Sequence, residues 1–104
     1  METHELIEEV RNWGRAKGII GHTGQATEQS QLRKLCEEVN ELSQAIHTND
    51  QAEKIDAIGD CSVVLILLAD IIGISFEECL TSAYEVINKR TGKMVNGQFV
   101  KDNN

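Results

Sequence analysis

The sequence predicts an all-α four-helix bundle with a short C-terminal β-hairpin, formed by one domain over residues 1–104. Three observations carry that reading. No proline interrupts the 104 residues, so nothing breaks a helix from within. Apolar residues recur at steps of three and four through four stretches, each bounded by capping or glycine signals. Near the end, Asn96-Gly97 sits between short β-prone pairs, a strong hairpin signal.

The first helix is expected over 3–17, with Leu6, Ile7, Val10 and Trp13 at helical spacing. A polar loop with three glycines follows, "GIIGHTGQATEQSQ". Thr27 offers an N-cap for a second helix that continues to 47. Leu32, Leu35, Val39, Leu42 and Ile46 form its apolar stripe. Asp50 and Glu53 have capping-box spacing at the head of a third helix, which runs to 72 with Gly73 as its stop. Its second half, "VVLILLADII", is apolar nearly all round and requires burial on several sides. Four short helices leave little surface to cover it. The stretch 63–72 is therefore expected to form the interface of a homodimer, with a dimer of dimers as the larger alternative. Ser75 and Glu78 cap a fourth helix expected to reach 90 and to end at Gly92. The hairpin after it is too small to be stable alone.

Seventeen acidic residues against ten Lys and Arg give a net charge of −7, which argues against binding a nucleic-acid backbone. A small anionic substrate stays open, because a divalent cation reverses the local sign. The longest apolar run is too short to cross a bilayer, and no basic-then-apolar leader is present. Cys36, Cys61 and Cys79 are odd in number and fit no metal or redox spacing, so reduced, mostly buried thiols are expected. Together these features predict a cytoplasmic protein with neither a membrane nor a nucleic acid as partner.

The stretch "KLCEEVNEL" puts Glu37, Glu38 and Glu41 beside an apolar stripe. On a wheel of about 100° per residue, Lys34, Glu38 and Glu41 share one edge, and Glu38 should point partly inward. Glu53, Asp56 and Asp60 fall within an arc of about 60° on the next helix. A short connection makes these helices neighbours, which brings the two acidic lines together. A pair of carboxylates about 5 Å apart repels by roughly 3 kcal/mol at an effective dielectric of 20. Such a cluster survives if protons or cations neutralise it, and hard oxygen ligands favour Mg²⁺, Mn²⁺ or Ca²⁺ over zinc. The alternative from spacing alone is solvated surface carboxylates on separate faces. Glu53 has its own role in the cap and ranks below Asp56 as a ligand. Lys89, Arg90 and Lys93, with Asn88 beside them, complement the helix end or hold phosphates.

"KLCEEVNEL", then "DAIGD", then "INKRTGKMVNGQFVK" resemble the MazG-like branch of the all-α nucleoside triphosphate pyrophosphohydrolases, in its short stand-alone form. The tryptophan near the start, and Gln31 and Lys34 before the glutamates, extend the likeness. The resemblance implies hydrolysis between the α- and β-phosphates of a nucleoside triphosphate, giving a monophosphate and pyrophosphate. It implies Mg²⁺, with Mn²⁺ as an alternative, held by Glu38, Glu41 and Asp60. Ala57 stands where many relatives carry an acid, so Asp56, or failing that Glu53, would take over as the further ligand. Glu37 and Glu38 are the implied catalytic carboxylates. Lys34, Arg90 and Lys93 would hold phosphates, Asn88 would add a polar contact, and Trp13 would stack on a base or fill the core. The alternative is a non-catalytic metal- or nucleotide-binding regulatory or scaffold module.

Overall fold

Each helix begins where a side chain can satisfy its first free N–H groups. The computed structural model describes residues 1–103 and holds α1 (Thr3–Ala16), α2 (Glu28–His47), α3 (Gln51–Ile71) and α4 (Phe76–Ile87). Strands β1 (Gly92–Val95) and β2 (Gln98–Lys101) close the chain. Thr27 Oγ1 accepts from the Ser30 amide at 3.0 Å, and Ser30 Oγ accepts from the Thr27 amide at 2.9 Å. Ser75 and Glu78 form the same reciprocal box at 3.1 and 3.2 Å. Asp50 forms half of its box: Oδ1 accepts from the Glu53 amide at 3.2 Å.

Helix α4 ends three residues before the expected 90, and Gly92 opens β1 instead of stopping the helix. The physical reason lies in the hairpin. The Asp102 amide donates to Thr91 O at 2.9 Å, and Thr91 Oγ1 donates to Asp102 Oδ2 at 2.7 Å. These bonds extend the strand pairing back by one residue and draw the chain out of the helix. Gly92 pairs with Lys101 and Val95 with Gln98, around Asn96 and Gly97 at φ of 50° and 83°. Two successive positive φ values match the primed turn that suits twisted strands.

Helix α3 is the hub, with α1, α2 and α4 packed against it. Ala57, Val64, Ile66, Leu67 and Ala69 are buried by the chain itself, along with Ala45 and Ile20. Gly14 lets α1 approach closely, since a Cβ there would stand 2.6 Å from Leu67 Cδ2. The inner part of 63–72 thus needs no second subunit. The large apolar residues that stay exposed along α3 and at its C-cap form a row spaced by three and seven: Ile55, Ile58, Leu65 and Ile72. Leu32, Val39 and Ile46 of the expected α2 stripe also face outward, while Glu38 and Ala45 turn inward. The thiols depart from expectation too: Cys36 is exposed, and Cys61 and Cys79 are half-buried.

The axes of α3 and α4 diverge by 101°, and every residue from Leu80 to Asn103 is exposed. The radius of gyration is 16.1 Å, against about 13 Å for a compact domain of this length. Among the described residues no single helix is long and apolar enough to cross a membrane.

A part-buried ion pair ties α1 to α4. The Arg11 side chain is only 10% exposed, and its two terminal nitrogens each donate to a Glu77 carboxylate oxygen at 2.8 Å. Its Nε donates to Glu8 at 2.7 Å. The bonds from Arg11 pull the Glu77 carboxyl down from 4.5 to about 2. Glu77→Gln should cost about 1–2 kcal/mol at pH 7, less than a fully buried pair, because Glu77 is partly solvated and Glu8 stays in place. A carboxyl depressed by folding stabilises fully above its unfolded value of 4.5 and loses that contribution as pH falls to about 2. Urea unfolding should therefore separate wild type from variant at pH 7 and bring them together near the acid end of that window. Equal stability at pH 7 would contradict the pairing.

Candidate metal centre

Residues 48–50 join α2 to α3, with Asn49 in the left-handed region at φ 52°. That tight connection folds α3 back along α2 and sets their acidic edges face to face. Glu38 is 6% exposed, turned inward as its place beside the stripe predicts. One carboxylate oxygen from each of Glu38, Glu41 and Asp60 lies within 4.8 Å of the others.

The buried member of this trio is incompletely satisfied. Lys34 Nζ sits 3.4 Å from Glu38 Oε1. Glu38 Oε2 is buried without a hydrogen-bond partner among the described residues. A buried anionic oxygen without a partner is strongly disfavoured, and two further carboxylates beside it add repulsion. The charges register on their neighbours. Glu38 raises the Glu41 carboxyl above its ordinary range, chiefly by like charge. The bond to Glu38 raises Lys34. The Cys61 thiol is pushed up by burial first, then by Glu38, Asp60 and Glu41. Oxygen donors, an unsatisfied buried anion and excess negative charge fit a hard divalent cation.

The other expected residues divide. Asp56 is exposed and stands outside the trio, so the further ligand expected from it does not join the cluster. Glu53 is also exposed, with its amide bonded at the α3 cap. Glu37 is exposed and lies 3.5 Å from Lys34 Nζ. It lines a cavity of about 420 Å³ together with Glu38, Asp60, Lys34, Gln31 and Trp13. Trp13 is 48% exposed and forms a wall of this cavity, not part of the core.

Asn88 and Arg90 line a different groove, about 610 Å³, with Tyr84 and Phe99. The Tyr84 hydroxyl donates to Asn88 Oδ1 at 3.4 Å. Lys93 pairs with Val100 in the hairpin. Neither Asn88, Arg90 nor Lys93 lines the carboxylate cavity of its own chain. Ile19 does line it, from a loop in which no spacing signal marks it.

Carboxylates from two adjacent helices, opening on a cavity with a lysine and a tryptophan, make this a helical protein whose acidic cluster could hold a metal. The model of the MazG nucleotide pyrophosphohydrolase domain matches residues 26–95, which include Glu38, Glu41 and Asp60, and the chain belongs to that family. An uncharacterised 18.2 kDa protein of the rep–hol intergenic region of Haemophilus phage HP1 (strain HP1c1) is 32% identical over 68 residues. The match covers 65% of this chain and 40% of that protein, so the chain spans about two fifths of its relative's length. No solved structure matches.

Proposed function

We propose that the chain is a Mg²⁺-dependent pyrophosphohydrolase that cleaves nucleoside triphosphates between the α- and β-phosphates, releasing a monophosphate and pyrophosphate. The observation that carries this reading is the buried, unpartnered Glu38 Oε2, set beside Glu41 and Asp60 in a MazG-family domain, with Glu38 and Asp60 lining the cavity. Mg²⁺, or Mn²⁺ in its place, would offset phosphate charge there and lower the pKa of an attacking water. Glu38, Glu41 and Asp60 hold the ion. Glu37 on the rim orients the water, Lys34 holds phosphate, and Trp13 offers its ring to the base.

Assembly belongs to the same proposal. The exposed rows on α2 and α3, and the outlying α4 and hairpin, support a homodimer or a dimer of dimers. A second copy would also bring the basic segment to a carboxylate cavity that its own chain does not offer. Arg90→Ala and Lys93→Ala should each lower kcat/KM roughly tenfold or more, as loss of a charged phosphate contact does. Mg²⁺ binding should be nearly unchanged. Wild-type hydrolysis in both variants would return the segment to simple helix-end electrostatics. We place the protein in the cytoplasm, acting on soluble nucleotides.

Phosphorus NMR of the products tests the activity. Incubated with Mg²⁺ and each triphosphate, the protein should yield pyrophosphate and monophosphate, and chelation by EDTA should stop it. Diphosphate with inorganic phosphate would contradict the cleavage site. Asp56 outside the trio, and Ala57 beside it, favour as second reading a nucleotide-binding module without turnover. Binding without product would select that reading.

A further inference from the structure

The geometry assigns Gln31 as the residue that reads the base edge of the bound nucleotide, an inference that rests on the triphosphate reading above. Gln31, Lys34, Glu38 and Glu41 lie within about 80° of one another around α2. Along the axis, Lys34 stands about 6 Å and Gln31 about 10 Å from Glu38, toward the N-terminus of the helix. All but Glu41 line the same cavity, which also takes in Trp13 and Ile19. A nucleotide held by its phosphates at the carboxylates and Lys34 extends its sugar and base toward that far end.

The polar groups available there narrow quickly. Ser30 also lines the cavity, but its hydroxyl accepts from the Thr27 amide at 2.9 Å and donates to Thr27 O at 3.1 Å. It is committed to the helix cap. Arg33 carries donors only. Ile19 and Leu67 carry neither donor nor acceptor in their side chains. Gln31 is half-buried, and its backbone amide is engaged by Thr27 O at 3.0 Å. Its side chain remains, a donor and an acceptor side by side in one plane. That pair matches the adjacent donor and acceptor on the edge of a nucleobase, while Trp13 offers a face for stacking.

The chemistry makes the assignment sharp. Gln31→Glu turns the amide into two acceptors. Guanine presents two adjacent donors, its ring N1–H and its exocyclic amine, so a carboxylate suits it better than any other common base. Gln31→Leu removes both hydrogen-bonding atoms at similar size. In the Glu variant the ratio of kcat/KM for the guanine over the adenine triphosphate should rise roughly tenfold or more, the scale of one well-placed polar pair. The hypoxanthine triphosphate, which lacks the exocyclic amine, should gain less. In the Leu variant the spread across the four common bases should shrink. Each variant should keep wild-type helicity and the wild-type melting response to Mg²⁺.

The same panel is also measured as equilibrium binding, so turnover is not the only readout. Variants that scale all bases by one factor, or leave every ratio within about twofold, would overturn the assignment and make Gln31 a packing residue. A wild type that binds without hydrolysing removes the pyrophosphohydrolase reading, yet its binding ratios still decide Gln31. A wild type that neither binds nor hydrolyses any triphosphate overturns both.

Discussion

Glu38→Gln should lower hydrolysis by roughly 10²-fold or more, while the metal-free protein becomes no less stable. Loss of a group one shell behind a metal ligand commonly costs 10–100-fold, and an anionic ligand in direct contact should exceed that. The substitution keeps the side chain's shape and removes one charge from a trio whose atoms lie within 4.8 Å of one another. It also replaces a buried carboxylate oxygen without a partner by a neutral amide. Stability without metal should therefore stay level or rise by up to about 2 kcal/mol, allowing for the lost attraction to Lys34. Steady-state turnover and urea unfolding in EDTA check the two halves separately. A variant with full activity would remove Glu38 from the site. One that unfolds more easily without metal would mean that Glu38 is a stabilising residue, with Lys34 as its partner.

Leu65→Asp should convert the proposed homodimer or dimer of dimers to folded monomers. Leu65 is 39% exposed in the single chain and sits mid-row between Ile58 and Ile72, so a charge there can stay solvated in a monomer. In a twofold interface the same substitution appears twice. Each unpaired carboxylate would be desolvated at a cost of roughly 3 kcal/mol, enough together to weaken association by about four orders of magnitude. Light scattering at micromolar concentration should show a mass twofold or fourfold lower than wild type, with helicity retained. Val64→Asp is a different experiment, because Val64 is 5% exposed within its own chain. It tests folding. A wild type that is monomeric at the same concentration would contradict the interface.

Much of the fold was legible because helix ends are local events. Thr27 with Ser30, and Ser75 with Glu78, lie within one turn of each other, and their bonds depend on neighbouring residues alone. The Asn96-Gly97 turn is local in the same way. The trio was legible in part. Glu38, Glu41 and Asp60 meet because a short connection folds two acidic helix edges together. Asp56, one turn before Asp60 on α3, is exposed and lies outside the trio.

Long-range geometry was not legible. Nothing in the spacing of "NKRTGK" indicates that α4 leaves α3 at 101° and carries Arg90 to a separate groove. Which side of 63–72 is covered also depended on a distant contact, the approach of Gly14 to Leu67. Arg11 and Glu77 are 66 residues apart, and each alone reads as an ordinary surface charge on an amphipathic helix.

The central assignment is that the Glu38, Glu41 and Asp60 cluster binds the divalent cation on which function depends. Melting of wild type and Glu38→Gln, each with and without millimolar Mg²⁺, tests it without relying on turnover. Binding to the native state alone raises its stability in proportion to RT ln(1 + [L]/Kd). Mg²⁺ should raise the melting temperature of wild type by several degrees, and that of the variant by clearly less. Equal shifts in the two proteins, or none in wild type, would contradict the metal centre.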